Sequence, residues 1–244
     1  MDIIEVDRIS KKFRIPTSRR DTIREHVLER FRQREWTQLT VLNGVSFTVR
    51  SGETLGIMGR NGCGKSTLLK ILSGIYQPDE GQVVARASIT PVLELGVGWN
   101  PELDAVDNIY LLGTVMGLSL RDLRNSAAEI LRFAQLEQFA NLKLKHFSSG
   151  MAYRLSYAVA FSAVRDILLL DEIFAVGDVG FRERCIERFE SLHRAGHTVV
   201  LVSHEIGLVE RFCSRVLLLE KGRIVNEGKP SDVTAEYRRL VTTG

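Results

Sequence analysis

The chain has 244 residues, a formal net charge of +3, and hydrophobic and charged fractions of 44% and 26%. These values suit one globular α/β domain with a buried core, and the charge is too small to indicate nucleic-acid binding by itself. Cys63, Cys185 and Cys213 have no disulfide or metal-ligand spacing, and no apolar run approaches the ~18 residues of a membrane span.

The amino-terminal segment begins with a predicted strand. Residues 3–10 alternate apolar and polar side chains, and Phe13 follows as the first aromatic residue. The ring of Phe13 could stack on an adenine base, or it could pack in a cluster at the strand end. The sequence leaves both interpretations open.

A basic segment follows between Arg8 and Arg34, where basic residues clearly outnumber acidic ones. Ile23, Val27 and Phe31 recur at four-residue spacing, which predicts a short basic helix with one apolar stripe. That stripe could face a membrane surface or an integral partner, or it could pack on the domain itself.

Residues 39–53 have strand periodicity around an Asn43–Gly44 pair, which predicts a turn within a small antiparallel sheet. The next apolar run, residues 53–59, predicts a buried strand that leads directly into a glycine-rich loop.

The loop, GRNGCGKST, fits the G-x-x-x-x-G-K-[ST] pattern of a phosphate-binding loop and precedes a predicted helix, residues 65–74. Glycines let successive backbone N–H groups point at a phosphate, Lys65 reaches the β- and γ-phosphates, and the Ser66 hydroxyl ligates Mg²⁺. The pattern therefore predicts nucleoside triphosphate binding. The predicted nucleotide-binding residues here are Gly59, Asn61, Gly62, Cys63, Gly64, Lys65, Ser66 and Thr67.

Residues 83–99 are predicted to be mostly extended, and the pattern becomes helical from Pro101 to about Phe147. In two segments the apolar residues recur every three or four positions, as on one face of a helix. Residues 117–119 separate the segments, as a break between two helices and a cap for the second. This predicts a helical insertion, roughly residues 101–160, between strands of an α/β core.

A second small-residue turn, FSSGM at Phe147–Met151, opens another helix that Ser148 or Ser149 can cap. Its N–H groups form a further anion site that one nucleotide does not need. Either the site serves a nucleotide on another copy of the chain, or the segment is an ordinary capped helix.

The run ILLLDE, residues 167–172, predicts a buried strand that ends in two carboxylates. Asp171 is predicted to hold Mg²⁺, and Glu172 to polarise the attacking water. The next strand, residues 197–204, ends at His204, which is predicted to reach the γ-phosphate at the same sheet edge.

Together and in this order, these motifs resemble the nucleotide-binding subunits of ABC transporters over nearly the whole chain. Gly59–Thr67 resembles Walker A, Phe147–Met151 the signature motif, Ile167–Glu172 Walker B, Ala175–Asp178 the D-loop, and His204 the switch histidine. Within the family, the chain is most similar to the ATPases of Wzt-like polysaccharide exporters. Those share the serine-glycine-methionine signature and the segment at Leu93–Leu103.

The resemblance implies a role for each motif. Glu172 and His204 would be catalytic, Phe13 would replace the usual tyrosine that stacks on adenine, and Ser66 and Asp171 would hold Mg²⁺. The remaining implied site residues are the signature, acting on the second copy's ATP (Ser148, Ser149, Gly150, Met151), the D-loop residue Asp178, and Glu94 at the Q-loop position.

The implied fold is α/β, a P-loop NTPase core with a small antiparallel β-subdomain and an inserted helical subdomain. We expect one ATPase domain over residues 1–244, without a carboxy-terminal carbohydrate-binding domain.

The implied function is ATP hydrolysis, with ATP and Mg²⁺, that drives export of a lipid-linked polysaccharide. The implied partners are a second copy and an integral-membrane permease that carries the lipid-linked glycan. The chain itself would lie peripherally at the cytoplasmic face of the inner membrane. No nucleic-acid partner is expected. The alternatives are a soluble ABC ATPase acting on nucleic acid or ribosomes, an ABC ATPase for another substrate, and a nucleotide-gated scaffold with little turnover.

Overall fold

The computed structural model describes residues 1–16, 36–93, 98–172 and 178–242. The strands of this part of the chain are β1 (Asp2–Pro16), β2 (Trp36–Arg50), β3 (Thr54–Met58), β4 (Glu80–Ala85), β5 (Ile89–Val92), β6 (Ile167–Asp171), β7 (Thr198–Val202), β8 (Arg215–Glu220) and β9 (Arg223–Gly228). The α-helices are α1 (Lys65–Leu72), α2 (Ala105–Val115), α3 (Leu120–Ala134), α4 (Ser149–Ser162), α5 (Val179–Arg194), α6 (Ile206–Phe212) and α7 (Pro230–Thr242). Short 3₁₀ turns lie at Glu137–Phe139 and Leu144–His146.

Two sheets form the α/β core. The first is antiparallel with order β2-β1-β4, and the second has order β5-β6-β7-β3-β8-β9. In the second sheet every pairing is parallel except that of β8 with β9. The central strand β3 is buried along its whole length, as expected for a strand covered on both faces.

The strand order brings distant segments together. Because β3 pairs with β7 and β7 with β6, the carboxyl ends of these three strands lie side by side. In such sheets ligands bind outside the carboxyl ends of the strands. The loops that follow β3, β6 and β7 contain the glycine-rich loop, Glu172 and His204 respectively.

The helices α2, α3 and α4 have a hydrophobic cluster of their own, which includes Ile109, Leu123 and Val159. Helix α4 also contributes Tyr157 and Phe161 to the cluster beneath the second sheet. The helix that begins at the FSSGM turn is therefore fixed between the two clusters.

The predicted helix boundaries at residues 117–119 are confirmed. Gly117 adopts a φ of 86°, and the Ser119 hydroxyl caps α3 by accepting a hydrogen bond from the Asp122 N–H at 3.1 Å. The Asp104 carboxylate caps α2 in the same way, through the Asp107 N–H at 2.9 Å.

The predicted turn at Asn43–Gly44 is wrong, because β2 continues through it as one strand. Two residues, Asn43 and Gly44, lie opposite the single residue Ser10 of β1, which makes a β-bulge. The Gly44 N–H donates to the Ser10 hydroxyl at 3.1 Å, and the Asn43 N–H donates to the Gly222 carbonyl at 2.9 Å. These long-range partners hold the extra residue within the sheet.

The strand predicted to end at His204 ends at Val202, so His204 lies in the loop beyond it. The predicted basic helix around Ile23, Val27 and Phe31 lies outside the described residues. In the part of the chain that the structure does describe, no helix has the length and apolar character needed to span a membrane.

Gly222, in the turn between β8 and β9, provides a test of this packing. It has a φ of 76°, and a Cβ there would lie 2.4 Å from the Val41 carbonyl oxygen, whereas Gly196 has a φ of 80° with open space around it. We expect Gly196→Ala to cost about 1–2 kcal/mol of unfolding free energy, from the left-handed backbone alone. Gly222→Ala should cost a further ~1–3 kcal/mol from overpacking, measured by urea unfolding. Equal costs for the two variants would contradict the packing described.

Candidate nucleotide-binding site

The glycine-rich loop connects the end of β3 to the start of α1. Lys65 is buried, and its ammonium group donates hydrogen bonds to the carbonyls of Gly59 at 2.8 Å and Arg60 at 3.2 Å. No side chain of the described residues caps α1 at Gly64. The loop thus offers a cation and the N–H groups of a helix amino terminus, which together suit a phosphate.

Close packing fixes the shape of the loop. Gly64 has a φ of 112°, and a Cβ there would lie 2.8 Å from the Val41 carbonyl oxygen. On the other side, the Gly222 N–H donates to the Cys63 carbonyl at 3.0 Å. Only glycine can adopt this positive φ and also let the Val41 carbonyl oxygen approach so closely.

The other loop residues divide between core and solvent. Cys63 is buried in the cluster between the two sheets, and burial raises the pKa of its thiol. Asn61 and Gly62 are exposed, and Thr67 lies in the first turn of α1. The side chain of Cys63 is therefore a packing group, although its backbone belongs to the loop.

Asp171 is the last residue of β6, and Ser66 lies in the first turn of α1. Burial raises the pKa of the Asp171 carboxyl, the nearby Ser66 side chain lowers it, and the charge of Glu172 adds to the rise. A hydroxyl and a carboxylate near each other are oxygen donors of the kind that Mg²⁺ takes.

Glu172 and His204 form a second pair at the same edge. The Glu172 Oε1 atom lies 3.3 Å from the His204 Nδ1 atom, and the Glu172 N–H donates to the Val202 carbonyl at 3.0 Å. Glu172 adopts a φ of 49°, a backbone conformation that is strained for a non-glycine residue and is concentrated at functional sites.

Glu172 and His204 border an open cleft of about 410 Å³, together with Arg60 and Asn61 of the glycine-rich loop. Its lining residues are Arg60, Asn61, Glu172, His204, Tyr237 and Val241. The last two belong to α7, which is held to α6 by a 2.6 Å hydrogen bond from the Thr234 hydroxyl to Glu210. No motif indicated that α7 would reach the cleft, because only the tertiary packing places it there.

Phe13 lies at an aromatic contact. Its ring is edge-on to the Tyr76 ring at 5.7 Å, and the Lys11 ammonium group lies 5.7 Å from its centroid. The ring is only partly buried. Phe13 thus packs in a cluster at the strand and also retains an accessible surface.

The signature turn lies apart from this cleft. The Ser148 hydroxyl caps α4 by accepting a hydrogen bond from the Met151 N–H at 3.2 Å, so the cap is Ser148 and not Ser149. Ser148, Ser149 and Gly150 are exposed, and Met151 packs partly against the helical cluster. None of the four is among the described residues that line the cleft.

The D-loop and Q-loop predictions are only partly described. Asp178 caps α5 by accepting from the Phe181 N–H at 2.9 Å, and its carboxylate lies 4.0 Å from the Arg154 guanidinium of α4. Glu94 and residues 175–177 lie outside the described residues.

The chain matches the family model described as "ABC transporter" over residues 42–175, more than half of its length. It is 39% identical to the O-antigen export system ATP-binding protein RfbB of Myxococcus xanthus, covering 99% of this chain and 57% of that protein. It is 36% identical to an O-antigen export system ATP-binding protein RfbB of Klebsiella pneumoniae, covering 82% of this chain and 81% of that protein. It is 32% identical to the teichoic acids export ATP-binding protein TagH of Listeria innocua, covering 96% of this chain and 69% of that protein. Against the first two relatives, the M. xanthus RfbB and the Aeromonas salmonicida ABC transporter protein AbcA, the chain spans only 57% and 65% of their lengths.

A solved structure agrees in fold. The dimeric post-hydrolysis state of the ATP-binding cassette MJ0796, bound to ADP and Pi, superposes with a TM-score of 0.73 at 25% identity, covering 93% of this chain and 98% of that one. The chain therefore belongs to the ABC transporter family, as an ATP-binding cassette.

Proposed function

We propose that this chain is the ATP-hydrolysing subunit of a transporter that exports a lipid-linked polysaccharide across the cytoplasmic membrane. The observation that carries the ATPase proposal is the meeting of Lys65, the Ser66–Asp171 pair and the Glu172–His204 pair at one sheet edge. The substrate class is inferred from relatives whose names specify O-antigen and teichoic acid export.

The glycine-rich loop is proposed to hold the triphosphate. Lys65 would exchange the carbonyls of Gly59 and Arg60 for phosphate oxygens, while the amino terminus of α1 supplies N–H donors. Phe13 is proposed to stack on the adenine, since stacking needs only a ring face.

Ser66 and Asp171 are proposed to hold the Mg²⁺ that accompanies ATP. When bound, the ion would neutralise charge on the phosphate oxygens. The Ser66 side chain lowers the pKa of the Asp171 carboxyl, which supports the assignment because it places the two oxygen donors near each other at the loop.

Glu172 is proposed to orient and polarise the attacking water, and His204 to contact the γ-phosphate. The 3.3 Å separation of the His204 and Glu172 side chains lets each fix the other's orientation. Both are partly exposed to the cleft, where a water and a phosphate could reach them.

Two copies are proposed to close head to tail. The exposed signature residues Ser148, Ser149, Gly150 and Met151 would then contact the nucleotide held by the partner, with Asp178 and Glu94 acting in the D-loop and Q-loop. The dimeric arrangement of MJ0796 supports this proposal.

The remaining partners follow from the family. We propose one ATPase domain whose helical subdomain, roughly residues 101–160, contacts an integral-membrane permease at the cytoplasmic face of the membrane. Closure of the dimer would move the permease, which carries the lipid-linked glycan. We propose no role for nucleic acid.

The first prediction concerns binding. Lys65→Ala removes a charged donor to phosphate, worth about 1.5–3 kcal/mol, so ATP affinity should fall roughly 10- to 100-fold. Equilibrium titration with a fluorescent ATP analogue measures this, with Lys70→Ala on the same helix as the control. Unchanged affinity of the Lys65→Ala chain would contradict the assignment of the loop.

The second prediction concerns turnover. Glu172→Gln keeps the shape of the side chain but removes its basicity, so hydrolysis should fall roughly 10²- to 10⁴-fold while ATP still binds. The variant should run as a dimer with ATP and as a monomer without it in size-exclusion chromatography. A hydrolysis rate equal to that of the unmodified chain would remove Glu172 from its proposed role.

The export function is tested by a mild-detergent pull-down from native membranes with the Glu172→Gln chain and ATP, followed by mass spectrometry. We expect one multi-span protein together with lipid-linked sugar. Recovery of ribosomes, DNA or no membrane protein would leave the ATPase assignment intact and overturn the export proposal.

A further inference from the structure

Arg182 and Glu205 form an ion pair next to the cleft that no motif indicated. Arg182 lies in the first turn of α5, and Glu205 directly follows His204. Both side chains are partly buried, at 42% and 30% exposure, so solvent screens the pair less than it would a fully exposed one.

Glu205 occupies the N-cap position of α6, where serine, threonine, aspartate and asparagine are preferred. Among the described residues its side chain caps nothing in the helix and instead bonds Arg182. The Glu205 N–H donates to the Ser203 hydroxyl at 3.0 Å. The backbone on both sides of His204 is therefore held, by Ser203 before it and by the ion pair after it.

The other end of the pair is equally fixed. The Arg182 N–H donates to the Asp178 carbonyl at 3.0 Å, and the Asp178 side chain caps the same turn. Asp178 also lies 4.0 Å from Arg154 on the helix that begins with the signature turn. Arg182 thus connects the start of α5 to the loop that presents His204.

We propose that Arg182 and Glu205 are positioning residues that hold His204 against Glu172. Neither touches the nucleotide in this scheme; each acts through the loop geometry. The inference rests on the proposed ATPase function and adds to it two residues on which the rate of hydrolysis depends.

The chain offers a matched control. Arg211 of α6 also pairs with Glu190 of α5, so a second ion pair joins the same two helices away from the cleft. If the Arg182–Glu205 pair merely docked α5 on α6, losing either pair would have the same effect. If the Arg182–Glu205 pair positions His204, hydrolysis should slow when that pair is lost and not when the Arg211–Glu190 pair is lost.

The test compares Arg182→Gln and Glu205→Gln with Arg211→Gln. Misplacement of a reacting group by about 1 Å can cost up to ~10²-fold in rate, so kcat of the first two should fall about tenfold or more. The KM for ATP, and the ATP affinity of each variant in a Glu172→Gln background, should change less than about twofold. The Arg211→Gln chain should keep both kcat and KM. The charge-reversed double variant, Arg182→Glu with Glu205→Arg, should recover most of the lost kcat.

Wild-type kcat in the Arg182→Gln and Glu205→Gln chains, or an equal loss in the Arg211→Gln chain, would overturn the inference. Circular dichroism verifies folding, and the nearly isosteric Glu205→Gln change decides the matter if Arg182→Gln unfolds. An unmodified chain that binds ATP but does not hydrolyse it would instead overturn the proposed function. The two failures are therefore distinguishable.

Discussion

The parallel pairing of β3 with β7, and of β7 with β6, is the constraint on which the candidate site depends. β3 precedes β6 and β7 by more than a hundred residues, yet the carboxyl ends of all three strands form one edge. The edge brings the buried lysine of the glycine-rich loop to the carboxylates at the end of β6 and the histidine that follows β7. Burial of all three strands makes this arrangement costly to distort.

The sequence was most informative where a structural signal is local. The helix that begins at Lys65, the Ser119 cap and the strand predicted over residues 167–172 each depend on neighbouring residues. The structure has the first two where they were predicted and ends the strand one residue earlier, at Asp171. The turn predicted at Asn43–Gly44 is absent because these two residues hydrogen-bond to distant parts of the chain. Gly44 donates to Ser10 of β1 and Asn43 to Gly222 in the β8–β9 turn, which keeps both residues within β2. Tyr237 could not be foreseen, since it reaches the cleft through the packing of α7 against α6, β8 and β9.

The position of the signature turn is the physical basis for the proposed dimer. Ser149 and Gly150 are exposed at the start of a helix that packs between two hydrophobic clusters, and among the described residues they do not line the cleft of their own chain. Exposed N–H donors at a helix amino terminus are suited to an anionic ligand. In the proposed dimer, a triphosphate in the glycine-rich loop of the second copy would be that ligand.

Cross-linking between two differently marked chains tests this composite site most directly. An Asn61→Cys chain and a Ser149→Cys chain, both also carrying Glu172→Gln, are mixed and treated with a short bis-maleimide, which alkylates one thiol at each end, with each chain alone as the control. The account predicts a cross-linked dimer that contains one of each chain, formed with ATP and absent without it. Failure to cross-link while both chains bind ATP would contradict the claim that the glycine-rich loop of one copy meets the signature turn of the other.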